Sequence, residues 1–171
     1  MTTTPLNEQE EHVWRRIAML QLLLPRALED DLQRGAGISL THYAVLMHLS
    51  EAPDRRLRMS DLAMRATISP SRMTRIVDSL EGRGWVTRSG SPYDGRANLA
   101  QLTDAGLTRL QQAWPTHLAS ARRLVLDHLE QDQLSGVAEV LQQILDTAVT
   151  LTCEEPGNAD GRDAGTTSAV R

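Results

Sequence analysis

The chain has 171 residues, a formal charge of −4 and only 3 % aromatic residues, with no Phe. That length suits one domain, or a small domain carried on a helical scaffold, and a core of Leu, Ile, Val, Ala and Met favours helices over a β-sandwich. No apolar run approaches the roughly 18 residues of a membrane span, Met1–Gln9 lacks the pattern of a signal peptide, and the lone Cys153 cannot close an intrachain disulfide, so a cytoplasmic protein is expected.

In chain order, Val13, Ile17, Leu20, Leu24 and Leu28 recur at spacings of three and four and predict an amphipathic helix from Glu8 to about Arg34. Pro25 should kink it and Gly35-Ala36-Gly37 should end it. Ser39 is placed to cap a second helix through Glu51, which Ala52-Pro53-Asp54 closes. Arg55–Met59 reads as a short strand. Ser60 followed by Asp61 is expected to cap a short helix to Ala66, with Thr67-Ile68 as a turn. Ser69 as N-cap and Pro70 at the first helical position then open another helix. Residues Trp85–Ser89 and Ala97–Leu102 read as strands joined by Gly90-Ser91-Pro92-Tyr93-Asp94-Gly95. Thr103 caps a long helix to about Leu129 with a break at Pro115. A last helix carries Leu134, Val137, Leu141, Ile144, Ala148 and Leu151, and the polar tail that follows should be disordered.

Charge is distributed unevenly along this pattern. Between Asp54 and Arg96 there are nine Arg against five acids, a local charge of +4, which leaves −8 for the rest of the chain. A positive island on an acidic protein is the electrostatic footprint of a surface that meets phosphate. It falls on two helices joined by a tight turn, the helix-turn-helix pattern. On a helical wheel Met73, Ile76, Val77 and Leu80 share one face, so the helix after Pro70 should present Ser71, Arg72, Thr74 and Arg75 outward from its N-terminal turns. Arg there can read guanine in the major groove, and the helix start can hold a phosphate. The bland alternative is an ordinary solvated helix face. In the hairpin, Arg96 is the candidate for a minor-groove contact, with Asp94 placed to orient it; Asp94-Gly95 is also simply good turn sequence.

The segment Ser69-Pro70-Ser71-Arg72-Met73-Thr74-Arg75-Ile76-Val77-Asp78-Ser79-Leu80-Glu81-Gly82-Arg83-Gly84-Trp85-Val86 resembles the recognition-helix segment of the MarR family of bacterial transcriptional regulators. Asp94-Gly95-Arg96 followed by Leu102-Thr103 and Gly106 resembles that family's wing signature, and Ser39–Leu46 resembles its second helix, with His42 where Gln is more usual. The resemblance covers roughly Glu8 to Leu151. It implies a winged helix-turn-helix homodimer, usually a repressor, whose DNA affinity is lowered by a small, frequently phenolic or anionic ligand; a small aromatic effector is expected here. The corresponding ligand cleft would be lined by Leu20, Leu23, Leu40, His42, Tyr43 and Met47.

The fold class expected is therefore mainly α with a small β-hairpin. A DNA-binding lobe at 39–103, with Ser60, Ser69, Pro70, Ser71, Arg72, Thr74 and Arg75 on its reading side, sits on a helical dimerisation region of 8–38 and 104–151, followed by a tail at 152–171. The apolar stripes of the first and last helices exceed what the small lobe can cover, which suggests a homodimer; a monomeric bundle is the alternative. Two reading helices about 34 Å apart would then require double-stranded DNA with a pseudo-palindromic site. His12, His42, His48, His117 and His128 are scattered and form no metal-ligand set, Cys153 beside Glu154 and Glu155 is a poor thiolate, and no nucleophile or phosphate-loop motif proposes an enzyme or a cofactor. A winged-helix module that binds protein rather than DNA is the rival reading.

Overall fold

A computed structural model describes residues 4–90 and 98–153 of the chain. It is mainly helical, with one three-stranded sheet, and divides into two compact units, Met1–His128 and Leu129–Arg171.

The first unit opens with α1 (Glu8–Ala36), whose N-cap Asn7 and third helical residue Glu10 hydrogen-bond each other's backbone in a capping box. This helix runs past the expected end at Arg34 and stops at Gly37, which takes the left-handed conformation (φ 62°). Pro25 does not interrupt it. The carbonyl that Pro25 leaves without a donor belongs to Gln21, and both residues are exposed, so water can serve it. Ser39 caps α2 (Leu40–Ser50) by accepting from the His42 amide at 3.1 Å, and Glu29 of α1 accepts from the Leu40 amide at 2.6 Å. Seven-residue α3 (Met59–Arg65) and α4 (Pro70–Gly82) follow, joined through Thr67, a β-branched residue held at φ 52°.

The sheet is antiparallel in the order β1-β3-β2, with β1 at Arg56–Arg58, β2 at Val86–Gly90 and β3 at Asn98–Leu102. Leu57 and Arg88 flank Ala100 from either side. The short strand expected before the helix pair thus closes against the hairpin and ties it to the lobe. Leu57, Val86, Ala100 and Leu102 feed into a core shared with Leu46 and Leu49 of α2, Leu62 of α3 and Met73, Val77 and Leu80 of α4.

Helix α5 (Asp104–Leu124) starts at Thr103, whose hydroxyl accepts from the Gly106 amide at 2.9 Å and donates to the Gly84 carbonyl at 2.8 Å. It passes through exposed Pro115 without a break and ends at Val125 (φ −136°), before the expected Leu129. A single 3-10 turn, Leu126–His128, completes the unit. Asp31 of α1 fastens the two long helices together: its carboxylate accepts from the Ser120 hydroxyl at 2.7 Å and pairs with Arg123 and Arg34. The Ser120 hydrogen bond, with help from Arg123 and Arg34, holds this carboxyl below its ordinary range despite partial burial.

Gly106 is a steric requirement. A Cβ there would lie 2.1 Å from the Trp85 carbonyl oxygen, a backbone atom that cannot swing away. Gly106→Ala is therefore expected to lower stability by about 1–3 kcal/mol, as overpacking does, despite the better helix propensity of Ala. Denaturant unfolding checks this; an unchanged midpoint would mean that α5 can move away from Trp85.

The second unit contains α6 (Gln133–Cys153), so Thr152 and Cys153, expected in the tail, are helical. Residues 154–171 lie outside the described residues. None of the helices is long and apolar enough to cross a membrane, and the described residues hold no cluster of His, Cys, Asp and Glu that could bind a metal.

Candidate nucleic-acid interface

Helix α4 is amphipathic in the sense its sequence predicts. Met73, Val77 and Leu80 are fully buried and Ile76 is half-buried, while Ser71, Arg72, Thr74 and Arg75 are exposed. The apolar stripe anchors the helix on the core, so the four polar side chains are delivered on a rigid element. Thr74 donates its hydroxyl to the Pro70 carbonyl at 3.0 Å, so that proton is committed within the helix.

The two caps differ from expectation. Ser69 is the N-cap of α4 by backbone geometry, but its side chain accepts no helix amide and instead lies 3.5 Å from the Ser71 hydroxyl. With Pro70 lacking an N–H, the Ser71 and Arg72 amides are the donors that this side chain leaves unserved. Ser60 is not a cap. Helix α3 begins two residues earlier than expected, at Met59, with Arg58 as its N-cap, and the exposed Ser60 hydroxyl donates to Asp61 at 3.2 Å. Position Arg58 is drawn to the cap because it is the last residue of β1, extended at ψ 145°.

The positive island resolves into two kinds of arginine. Arg55 pairs with Asp104 and Arg56 with Asp54, each at 3.0 Å, and Arg83 lies 5.1 Å from the Trp85 ring centre. Arg88 is enclosed: its Nη2 lies 2.6 Å from Asp78 Oδ1 and donates to the Thr74 carbonyl at 2.9 Å. Arg58, Arg65, Arg72 and Arg75 are exposed and form no ion pair among the described residues. Sequence arithmetic counts all of these equally, since no local spacing reveals a tertiary partner. Asp94 and Arg96 lie outside the described residues.

A family model described as the MarR family matches residues 36–97, which span α2 to the hairpin. Against the transcriptional repressor MprA of Escherichia coli the chain is 31 % identical over 147 residues, covering 82 % of this chain and 84 % of that protein. The chain belongs to the MarR family. The match to the HTH-type transcriptional repressor YetL of Bacillus subtilis is shorter, 29 % identity over 58 % of this chain and 59 % of YetL, so the chain spans less than two thirds of that relative. Among solved structures, Sco3205, a MarR family transcriptional regulator from Streptomyces coelicolor crystallised in complex with DNA, superposes with a TM-score of 0.79 at 37 % identity, covering 84 % of this chain and 94 % of Sco3205.

In this MarR-family chain the residues expected to line a ligand cleft occupy different environments. Tyr43 is in the core at 1 % exposure, with its ring 4.4 Å from that of His117. Leu40, His42 and Met47 are half-buried, whereas Leu20 and Leu23 are more than half exposed on α1. The Tyr43 hydroxyl and His117 Nδ1 are buried without a hydrogen-bond partner among the described residues. Burial pushes the Tyr43 hydroxyl up to about 12, and it lowers both His117 and His42, the latter helped by the charge of Arg83.

Proposed function

We propose that this MarR-family protein is a homodimeric, sequence-specific DNA-binding transcriptional regulator acting as a repressor. The observation that carries the reading is the outward row Ser71, Arg72, Thr74 and Arg75 on a helix whose opposite face is locked into the core. In the major groove Arg72 and Arg75 read base edges, Thr74 offers its methyl, and the start of α4 faces a phosphate. Arg58 and Arg65 hold the flanking backbone, and Arg96, with Asp94 orienting it, reaches the minor groove. Sco3205, which resembles this chain along most of its length, was crystallised with DNA, and that favours duplex DNA over a protein partner.

The dimer is supported by the apolar surface of α1. Val13, Trp14 and Leu20 are each more than half exposed, on a helix whose C-terminal half is already packed against α2 and α5. A second copy would cover this stripe and space the two reading helices for a pseudo-palindromic site in a cytoplasmic genome. A small aromatic effector would enter beside Tyr43, between Leu40, His42, Met47 and the α1 residues Leu20 and Leu23, and release the DNA.

The division of arginines gives a direct test. Equilibrium binding to a duplex selected from a random pool, measured across a salt series, should show the log–log slope falling by about 1.8 for Arg65→Ala, since one phosphate contact is lost from each protomer of the dimer. Arg56→Ala, which removes a guanidinium already neutralised by Asp54, should leave the slope unchanged. Equal changes for both would overturn the assignment, and no salt dependence at all would overturn the DNA reading.

A further inference from the structure

Arg88 stands on β2, the strand that leads into the hairpin tip, yet its guanidinium is spent on α4. Nη2 pairs with Asp78 at 2.6 Å and donates to the Thr74 carbonyl at 2.9 Å, while Nε lies 3.8 Å from Glu81 and is buried without a hydrogen-bond partner among the described residues. The Arg88 amide donates to Glu81 Oε1 at 3.2 Å. One residue of the wing therefore grips three successive turns of the helix, at Thr74, Asp78 and Glu81, and Thr74 lies in the outward reading row. Arg88 is also paired with Ala100 in the sheet, so the grip is transmitted to both strands of the hairpin. Its side chain is 29 % exposed and already faces two carboxylates, which compete with any phosphate for it.

We propose that Arg88 is a positioning residue that sets the angle between the wing and α4, so that helix and wing engage the same DNA site together; this rests on the DNA-binding reading above. Asp78 and Glu81 are then required for binding although they are anions on the helix that enters the groove. That requirement reverses the simple electrostatic expectation. Removing a carboxylate near a polyanion strengthens binding if charge alone matters. Removing the tether weakens recognition of a site that needs wing and helix together, and leaves sequence-independent binding alone.

The test uses the full chain and two duplexes of equal length, one enriched by the wild-type protein from a randomised pool and the other its shuffled counterpart. Asp78→Asn, Arg88→Gln and the double variant are compared for affinity, salt dependence and thermal midpoint. Each single variant is expected to lose about tenfold on the selected duplex and to keep its affinity for the shuffled one. The double variant should be no worse than either single, with the salt slope unchanged. Arg88→Lys, which retains the charge facing Asp78 without the forked donor set, should recover part of the loss. If Arg88 grips phosphate instead, Arg88→Gln flattens the salt slope and Asp78→Asn tightens binding to both duplexes. If the pair serves stability alone, the midpoints fall and both duplexes weaken by one common factor. Either result overturns the proposal while leaving DNA recognition standing. A wild-type protein that does not distinguish the two duplexes overturns both.

Discussion

Val13→Glu combined with Ile17→Glu is expected to turn the protein into a folded monomer and to lower its affinity for a two-half-site duplex by roughly 10²- to 10⁴-fold. Within one chain these side chains are 58 % and 39 % exposed, so the substitutions remove little intrachain packing. In a dimer they would place unpaired carboxylates in an apolar seam, where desolvation costs several kcal/mol per charge. The two half-sites would then be bound independently, and the gain from tethering would vanish. Sedimentation and titration of the same samples check this, with a thermal melt showing that the lobe remains intact. A double variant that stays dimeric and binds like the wild type would place the interface elsewhere.

Arg75→Ala should act on recognition rather than assembly. Arg75 is exposed, unpaired among the described residues, and one helical turn into α4, where a bidentate contact to guanine contributes about 1–3 kcal/mol. The expected loss is roughly 5- to 150-fold per half-site, and the product of two such factors on the full inverted repeat, concentrated on the base pair that Arg75 would read. Competition among single-base variants of that site measures it. The variant should become indifferent at one position per half-site while keeping its preferences at the others. Unchanged discrimination at every position would remove Arg75 from the reading set.

Where apolar period decides the outcome, the outward face of α4 was legible in the sequence. Met73, Val77 and Leu80 recur at helical spacing and are buried, which forces Ser71, Arg72, Thr74 and Arg75 outward whatever the tertiary detail. Polar and breaking residues were less legible because their effect depends on what surrounds them. Pro25 and Pro115 suggested a kink and a break, yet both helices continue, since each proline faces solvent and water can replace the missing donor. The run Leu124-Val125-Leu126 hid the true end of α5, because an unbroken apolar stretch carries no stop signal. Ser60 and Ser69 have the composition of caps, but the strand before α3 places Arg58 at the first cap, and Ser69 turns toward Ser71 at the second.

Arg88 shows the same limit from the side of charge. Its partners Asp78 and Glu81 lie ten and seven residues earlier on a different element, a separation that no helix or hairpin spacing rule connects. Gly106 was visible as part of a family signature. Its reason, the Trp85 carbonyl sitting where a Cβ would project, belongs to the packing of α5 on the residue that precedes β2.

Footprinting the wild-type protein on duplexes enriched from a random pool bears most directly on the central claim, that paired copies of α4 read adjacent major grooves. The expected product is an inverted repeat whose half-site centres lie about 10 base pairs apart, protected together at a single protein concentration. Enrichment of a lone half-site, or protection without any preferred sequence, would contradict it.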